Sequence, residues 1–113
     1  MMIKILPQII LGVWGIMPGN YSGITHVKDN VYAIVDDKDE VEGFKLLTLD
    51  IDERNGKVRN ASLKEPSDMA ERRTAGIKNY RDCEGVAFFN DFNTVFVSGE
   101  EDQRIVEYSL EGK

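Results

Sequence analysis

Apolar and polar residues alternate along most of this chain in short runs, each bounded by turn residues. Gly23-Ile24-Thr25-His26-Val27 leads across Asp29-Asn30 into Val31-Tyr32-Ala33-Ile34-Val35, which ends in Asp36-Asp37. A third run covers Phe44 to Ile51. A fourth, Lys57 to Leu63, returns after Asn55-Gly56, the strongest hairpin signal present. Alternation of this kind predicts half-buried strands, and Asp and Asn at the turns tolerate the positive φ that tight hairpins demand. The order then recurs. Glu84-Gly85-Val86-Ala87-Phe88-Phe89 repeats the layout of Ser22-Gly23-Ile24, Val95-Phe96-Val97-Ser98 runs into Gly99-Glu100-Glu101, and Arg104 to Leu110 closes the set.

Two such sets about 60 residues apart form an internal repeat, and four antiparallel strands per repeat is blade architecture. The predicted fold is all-β: antiparallel β-propeller blades, about two four-stranded blades in an incomplete ring, since propellers use roughly four to eight. Residues 1–19 read as an apolar N-terminal strand over Ile9 to Ile16, with a leader remnant as the alternative. Pro7-Gln8 interrupts the apolar run, no Ala-x-Ala-like cleavage site follows, and Pro18-Gly19-Asn20 signals a turn. Residues 20–113 form the propeller part: a blade at 20–63, a long loop at 64–82 and a partial blade at 83–113 that lacks its fourth strand. A short helix over Ser67 to Thr74, capped by Ser67, interrupts the loop. Exposed strand edges predict pairing with another copy.

Twenty acidic against fourteen basic residues leave a net charge of -6, which argues against a nucleic-acid partner because phosphate binding needs a basic face. No run approaches the length of a membrane span. The lone Cys83 cannot form an intrachain disulfide, and with the lone His26 it excludes a Cys/His zinc site from within this chain.

The acidic residues carry the candidate chemistry. Asp36-Asp37 and Glu100-Glu101 occupy matching strand ends, and Glu84 precedes a glycine at a strand start, where backbone or ligand can approach closely. Clustered carboxylates suit a hard cation, so Asp36, Glu84 and Glu100 are the expected ligands of Ca2+, which could anchor and polarise a phosphate ester. Asp50-x-Asp52 is not a calcium loop of the helix–loop–helix kind, because Gly56 falls one position late and Ala61 stands where a glutamate is needed. Ser22 lies one position late for a Gly-x-Ser-x-Gly elbow, so Ser22 and Ser98 read as turn and channel hydroxyls rather than nucleophiles. Cys83 reads as a small buried filler. Arg72, Arg73 and Arg81 can offer guanidinium forks to phosphate or neutralise the acidic end. Ser22, Arg81 and Ser98 are thus the ligand-binding candidates.

Asn20-Tyr21-Ser22-Gly23-Ile24, Val35-Asp36-Asp37-Lys38, Gly43-Phe44, Arg81-Asp82-x-Glu84-Gly85-Val86 and Val97-Ser98-Gly99-Glu100 together resemble the phytase-like propeller family, named for an esterase-like activity of phytase and akin to the periplasmic propellers called SdiA-regulated. The resemblance runs from Asn20 to Gly112 and corresponds to the first part of the family's domain. Cys83 stands where the family usually has proline. The resemblance implies a periplasmic or secreted β-propeller with acidic residues at one mouth of a central channel. A phosphoric or carboxylic ester hydrolase is its implied activity, and a small-molecule ester or phosphorylated compound its ligand. A non-catalytic binding module and a structural fragment of a larger propeller are the alternatives, because fold alone does not fix chemistry.

Overall fold

The computed structural model describes residues 11–16, 19–78, 83–99 and 104–113, and in it the alternating runs become seven strands in two antiparallel sheets. The first sheet holds β1 (Tyr21–Lys28), β2 (Val31–Asp36), β3 (Lys45–Ile51) and β4 (Val58–Lys64) in sequence order. The second holds β5 (Cys83–Phe89), β6 (Thr94–Gly99) and β7 (Ile105–Ser109), and no fourth strand joins it among the described residues. The chain is thus all-β, two blades of an incomplete propeller. The hairpins turn where expected. Asp29 and Asn93 adopt φ of 46° and 53°, and Asn55-Gly56 lies in a wider loop closed by the Asp52 N–H donating to Lys57 O at 2.8 Å.

Strand pleating divides the apolar residues of the first sheet between two layers. Val27, Ala33, Val35 and Phe44 face the second sheet, whose Cys83, Val95, Val97 and Tyr108 complete the core between the blades. Ile34, Leu47 and Ala61 point the other way and are packed by Leu11, Trp14 and Ile16. The N-terminal stretch therefore corrects the expected strand at Ile9 to Ile16. Residues 9 and 10 lie outside the described residues, but Leu11–Trp14 form a 3₁₀ turn, closed by the Gly15 N–H donating to Gly12 O at 3.1 Å. Gly12 and Gly15 weaken extended pairing, and the segment buries Ile16 and half-buries Leu11 and Trp14 by lying across a sheet face beside β4, while Val13 stays exposed.

The one α-helix among the described residues, α1 (Ser67–Thr74), has the span expected from sequence but not the expected cap. Pro66 holds the N-cap position, and no side chain caps the helix. One of the first-turn amides, Asp68 N–H, donates instead to Glu111 O at 2.9 Å, tying the helix to the end of the second blade. Met69 is the helix's buried side chain, and the Phe44 N–H donates to its Sδ at 3.2 Å. Gly43 makes this contact possible. Its φ is 135°, and a Cβ there would lie 2.0 Å from Met69 Cε. Arg73 fastens the other side of α1, donating to Glu65 at 2.7 Å and to Asp39 at 2.9 Å. The hydrogen bonds that Arg73 donates to Glu65 raise its pKa above the ordinary arginine value, and those it donates to Asp39 add to this against the opposing effect of burial. Of the three arginines offered as phosphate forks, Arg73 therefore neutralises acid.

Gly43→Ala combines a disallowed φ with overpacking against Met69, and it should cost about 2–4 kcal/mol of stability by urea denaturation. An unchanged midpoint would show that α1 moves aside freely.

Candidate functional site at the inner strand ends

β1 and β5 lie against each other where the two blades meet, and both carry the same irregularity. In β1 the register jumps between Tyr21 and Gly23, and in β5 it jumps between Cys83 and Gly85. Ser22 and Glu84 are thus the extra residues of two matching bulges, each followed by a glycine. A bulge leaves its extra residue outside the ladder and re-aims its side chain. The Ser22 hydroxyl crosses to the other blade and donates to Cys83 O at 2.6 Å. Gly23 lets the strands close this far, because a Cβ there would lie 3.1 Å from Glu84 O and 3.2 Å from Val35 Cγ2. Glu84 itself is exposed, and Cys83 beside it is buried at 3% exposure, the small core filler expected. On the far side of the second sheet, Ser98 Oγ lies 2.7 Å from where a Gly85 Cβ would be.

Asp36 pairs with Tyr21, and Gly99 pairs with Cys83, so both strand ends and both bulges lie at one end of the blades. The register makes Gly99 the counterpart of Asp36, so Asp37 corresponds to Glu100. The match of Asp36 with Glu100 read from sequence is therefore displaced by one residue. Glu100 and Arg81 lie outside the described residues. Asp36 is engaged locally. Its Oδ1 accepts from the Lys38 N–H at 2.8 Å, and its Oδ2 lies 2.8 Å from where a Gly19 Cβ would be. Among the described residues, no three His, Cys, Asp or Glu side chains come together closely enough to hold a metal ion.

The Asp36 carboxylate instead lines a cleft of about 450 Å³ with Trp14, Tyr21, Lys45, Ser62 and Leu63. These residues come from five separate runs, so no local pattern announces the cleft. Tyr21 carries its electrostatic signature: burial raises the phenol pKa above its ordinary value, and the charges of Asp36 and Asp39 add to this. Asp37, the neighbour of Asp36, has an Oδ1 shut off from solvent and without a hydrogen-bond partner among the described residues. His26 sits toward the opposite end of β1, exposed, with Nε2 2.8 Å from Asp29 O and its ring tilted against Tyr32. It is an ordinary strand residue, far along β1 from Ser22.

Two measurements probe this end. Ser22→Ala removes the hydrogen bond between blades and should cost about 1 kcal/mol in urea denaturation; no loss would mean that water replaces the hydroxyl. In ultraviolet pH titration, with Tyr21→Phe to assign the signal, Tyr21 should ionise above an ordinary tyrosine, and Asp36→Asn should lower its pKa. The folded state holds this proton more tightly than the unfolded state. The associated stability is therefore complete below about pH 10 and is lost as pH rises through the folded pKa. An unmoved Tyr21 in Asp36→Asn would remove Asp36 from its surroundings.

No curated protein and no solved structure is similar enough to match the chain. A family model described as esterase-like activity of phytase matches residues 17–113, which take in both blades and the helix between them, and the chain accordingly belongs to the phytase-like family.

Proposed function

We propose that this chain is part of a phytase-like propeller that hydrolyses phosphate or other esters with the help of a divalent cation, Ca2+. The cation would sit at the blade end that carries Glu84, Glu100 and the Asp36-Asp37 pair. The observation that supports this most directly is Asp37 Oδ1, a carboxylate oxygen shielded from solvent with no hydrogen-bond partner among the described residues. Such an oxygen costs free energy unless a donor or a cation satisfies it. The available donors are hard oxygens, the class that calcium takes in sets of about six to eight.

When bound, the cation would polarise the ester and favour attack by water. The chain's own residues would bind and orient. Ser22 has its proton engaged by Cys83 O, which leaves its oxygen as an acceptor beside the Glu84 bulge. Ser98 and Arg81 would contact the acyl or phosphoryl group. A periplasmic or secreted location would supply millimolar calcium and external esters.

A second reading is a binding module without turnover, and the cleft favours it. Trp14 and Tyr21 offer aromatic faces, while Asp36, Lys45 and Ser62 offer an acid, a base and a hydroxyl in the same space. Aromatic and polar groups converging on one cleft are what small-molecule sites use.

Calorimetric titration with Ca2+ tests the cation site. The parent chain should bind, and Glu84→Gln, which keeps shape and removes charge, should bind at least about tenfold more weakly, or about 1.4 kcal/mol. Equal binding in both would return Glu84 to a solvated bulge acid. Turnover of p-nitrophenyl phosphate or acetate that rises with Ca2+ separates hydrolysis from the binding reading, which expects thermal stabilisation by such esters without product.

A further inference from the structure

We infer that Met69 is an oxidation switch: an oxidant of the peroxide class converts its thioether to the sulfoxide, and α1 then leaves the seam between the blades. This switch is separate from the proposed cation site and from the Asp36 cleft.

The thioether sits where both blades close on the helix. Met69 is 2% exposed and belongs to the core between the sheets, in one cluster with Val41, Phe44 and Tyr108. It is the buried side chain of α1. Gly43, before β3, and Gly112, after β7, flank it with φ of 135° and 90°. A Cβ on Gly43 would overlap Met69 Cε and Sδ, and one on Gly112 would lie 3.2 Å from Met69 Cγ and 3.3 Å from Cε. The side chain thus fills the space that two missing side chains leave. Its sulfur also accepts the Phe44 N–H at 3.2 Å.

An added oxygen has no place in that slot. Oxidation forms an S–O bond from a sulfur lone pair while the peroxide O–O bond breaks. The proton of the transferred oxygen passes to the other oxygen, which leaves as water; the sulfur is oxidised and the peroxide reduced. The product is polar and disrupts apolar cores. The donor at the sulfur is the Phe44 N–H, and the 3.2 Å between them holds no further atom. Glycine backbone closes the flanks. A buried polar atom without a partner is unfavourable, whereas an exposed sulfoxide is hydrated, so oxidation shifts the helix outward.

The remaining holds on α1 are weak enough for that shift to decide. The helix has eight residues, too few to stand alone, and no side-chain cap. Arg73 reaches Asp39 and Glu65 with a side chain 40% exposed, where ion pairs contribute little. Arg72 adds a 3.4 Å contact to Gly112 O, and the Asp68 N–H donates to Glu111 O. The same weakness admits the oxidant, which meets Met69 when α1 opens locally.

Release carries beyond the helix. The loop after β2 is tied to α1 twice, through Gly43 against Met69 and through Asp39 on Arg73. The stretch after β7 is tied through Gly112 and Glu111. One sulfur therefore governs a hold on both blades.

Hydrogen peroxide treatment of the chain, followed by peptide mass mapping and limited trypsin digestion, tests the switch. The chain's other methionines are Met1, Met2 and Met17, and Cys83 is also oxidisable, so Met69→Leu is the control. Met69 should appear as the sulfoxide. Trypsin should then cut after Arg72 and Arg73 at least about tenfold faster than in the untreated chain, because cleavage follows the open population. Circular dichroism should keep its strand signal. Methionine sulfoxide reductases should restore the thioether and the protection together. Met69→Leu, a conservative swap in volume, should be equally protected with and without peroxide. Sulfoxide at Met69 with unchanged protection overturns the proposal, and so does a Met69 that stays reduced while the other methionines are oxidised. Peroxide-dependent cleavage that persists in Met69→Leu, or that the reductases do not reverse, belongs to another group and overturns it. Loss of the strand signal on oxidation makes Met69 a core residue rather than a switch, which also overturns it. If Met69→Leu does not fold, the reductase step decides alone.

Discussion

The close approach of β1 and β5 is the contact on which the remaining structure depends. Two sheets that twist normally splay apart at their inner strands unless something brings backbone to backbone. Here the missing side chain of Gly23 admits the Glu84 carbonyl, and the Ser22 hydroxyl bonds to the carbonyl of the preceding residue, Cys83. With the inner strands fixed, Val35, Val95 and Val97 close into a core that excludes solvent almost completely. A hydroxyl alone would be a weak fastener, since a typical protein hydrogen bond contributes about 1 kcal/mol net. Its role is to set register, while the apolar area behind it supplies the stabilisation. The exposed Glu84 side chain follows from the same geometry: a bulge that commits its backbone to the joint leaves its side chain outside.

The outer rim is held by different means. β2 and β3 are joined by a charged loop, and β4 and β5 by the segment that contains α1, and neither stretch has enough apolar residues to seal itself. Met69 enters over Gly43, Arg73 bridges Glu65 and Asp39, and Lys45 lies 3.6 Å from Asp39. In a chain with six more acids than bases, gathering cations at one seam relieves repulsion where the loops would otherwise part. That use of Arg73 also explains why an arginine pair beside an acidic rim need not mean a phosphate site.

Blades, hairpins and the span of α1 were legible in the sequence because they depend on local rules: alternation, turn residues and helix length. The matching of Ser22-Gly23-Ile24 with Glu84-Gly85-Val86 was visible as a repeat, and its bulge is the physical reason the repeat exists. What escaped was set by partners distant in sequence. Leu11 to Trp14 are apolar enough for a strand, yet they wind into a 3₁₀ turn because a sheet face, rather than a sheet edge, was available to cover. Ser67 looks like a helix cap, but Pro66 occupies that place and Glu111 O takes an amide. Asp36 matches Glu100 by eye, and only the pairings Tyr21–Asp36 and Cys83–Gly99 reveal the one-residue offset.

That offset bears on how an acidic rim could work. If Asp36 and Glu100 were equivalent, both would point alike relative to their blades, and symmetry alone would gather them. With Asp37 as the counterpart of Glu100, symmetry does not pair Asp36 with Glu100, and Asp36 lines a cleft with Trp14, Tyr21 and Lys45. One blade end then carries two distinct surfaces. Toward the joint lies the Glu84 bulge. Toward the N-terminal segment lies the cleft in which Trp14 and Tyr21 meet one acid, Asp36, and one base, Lys45.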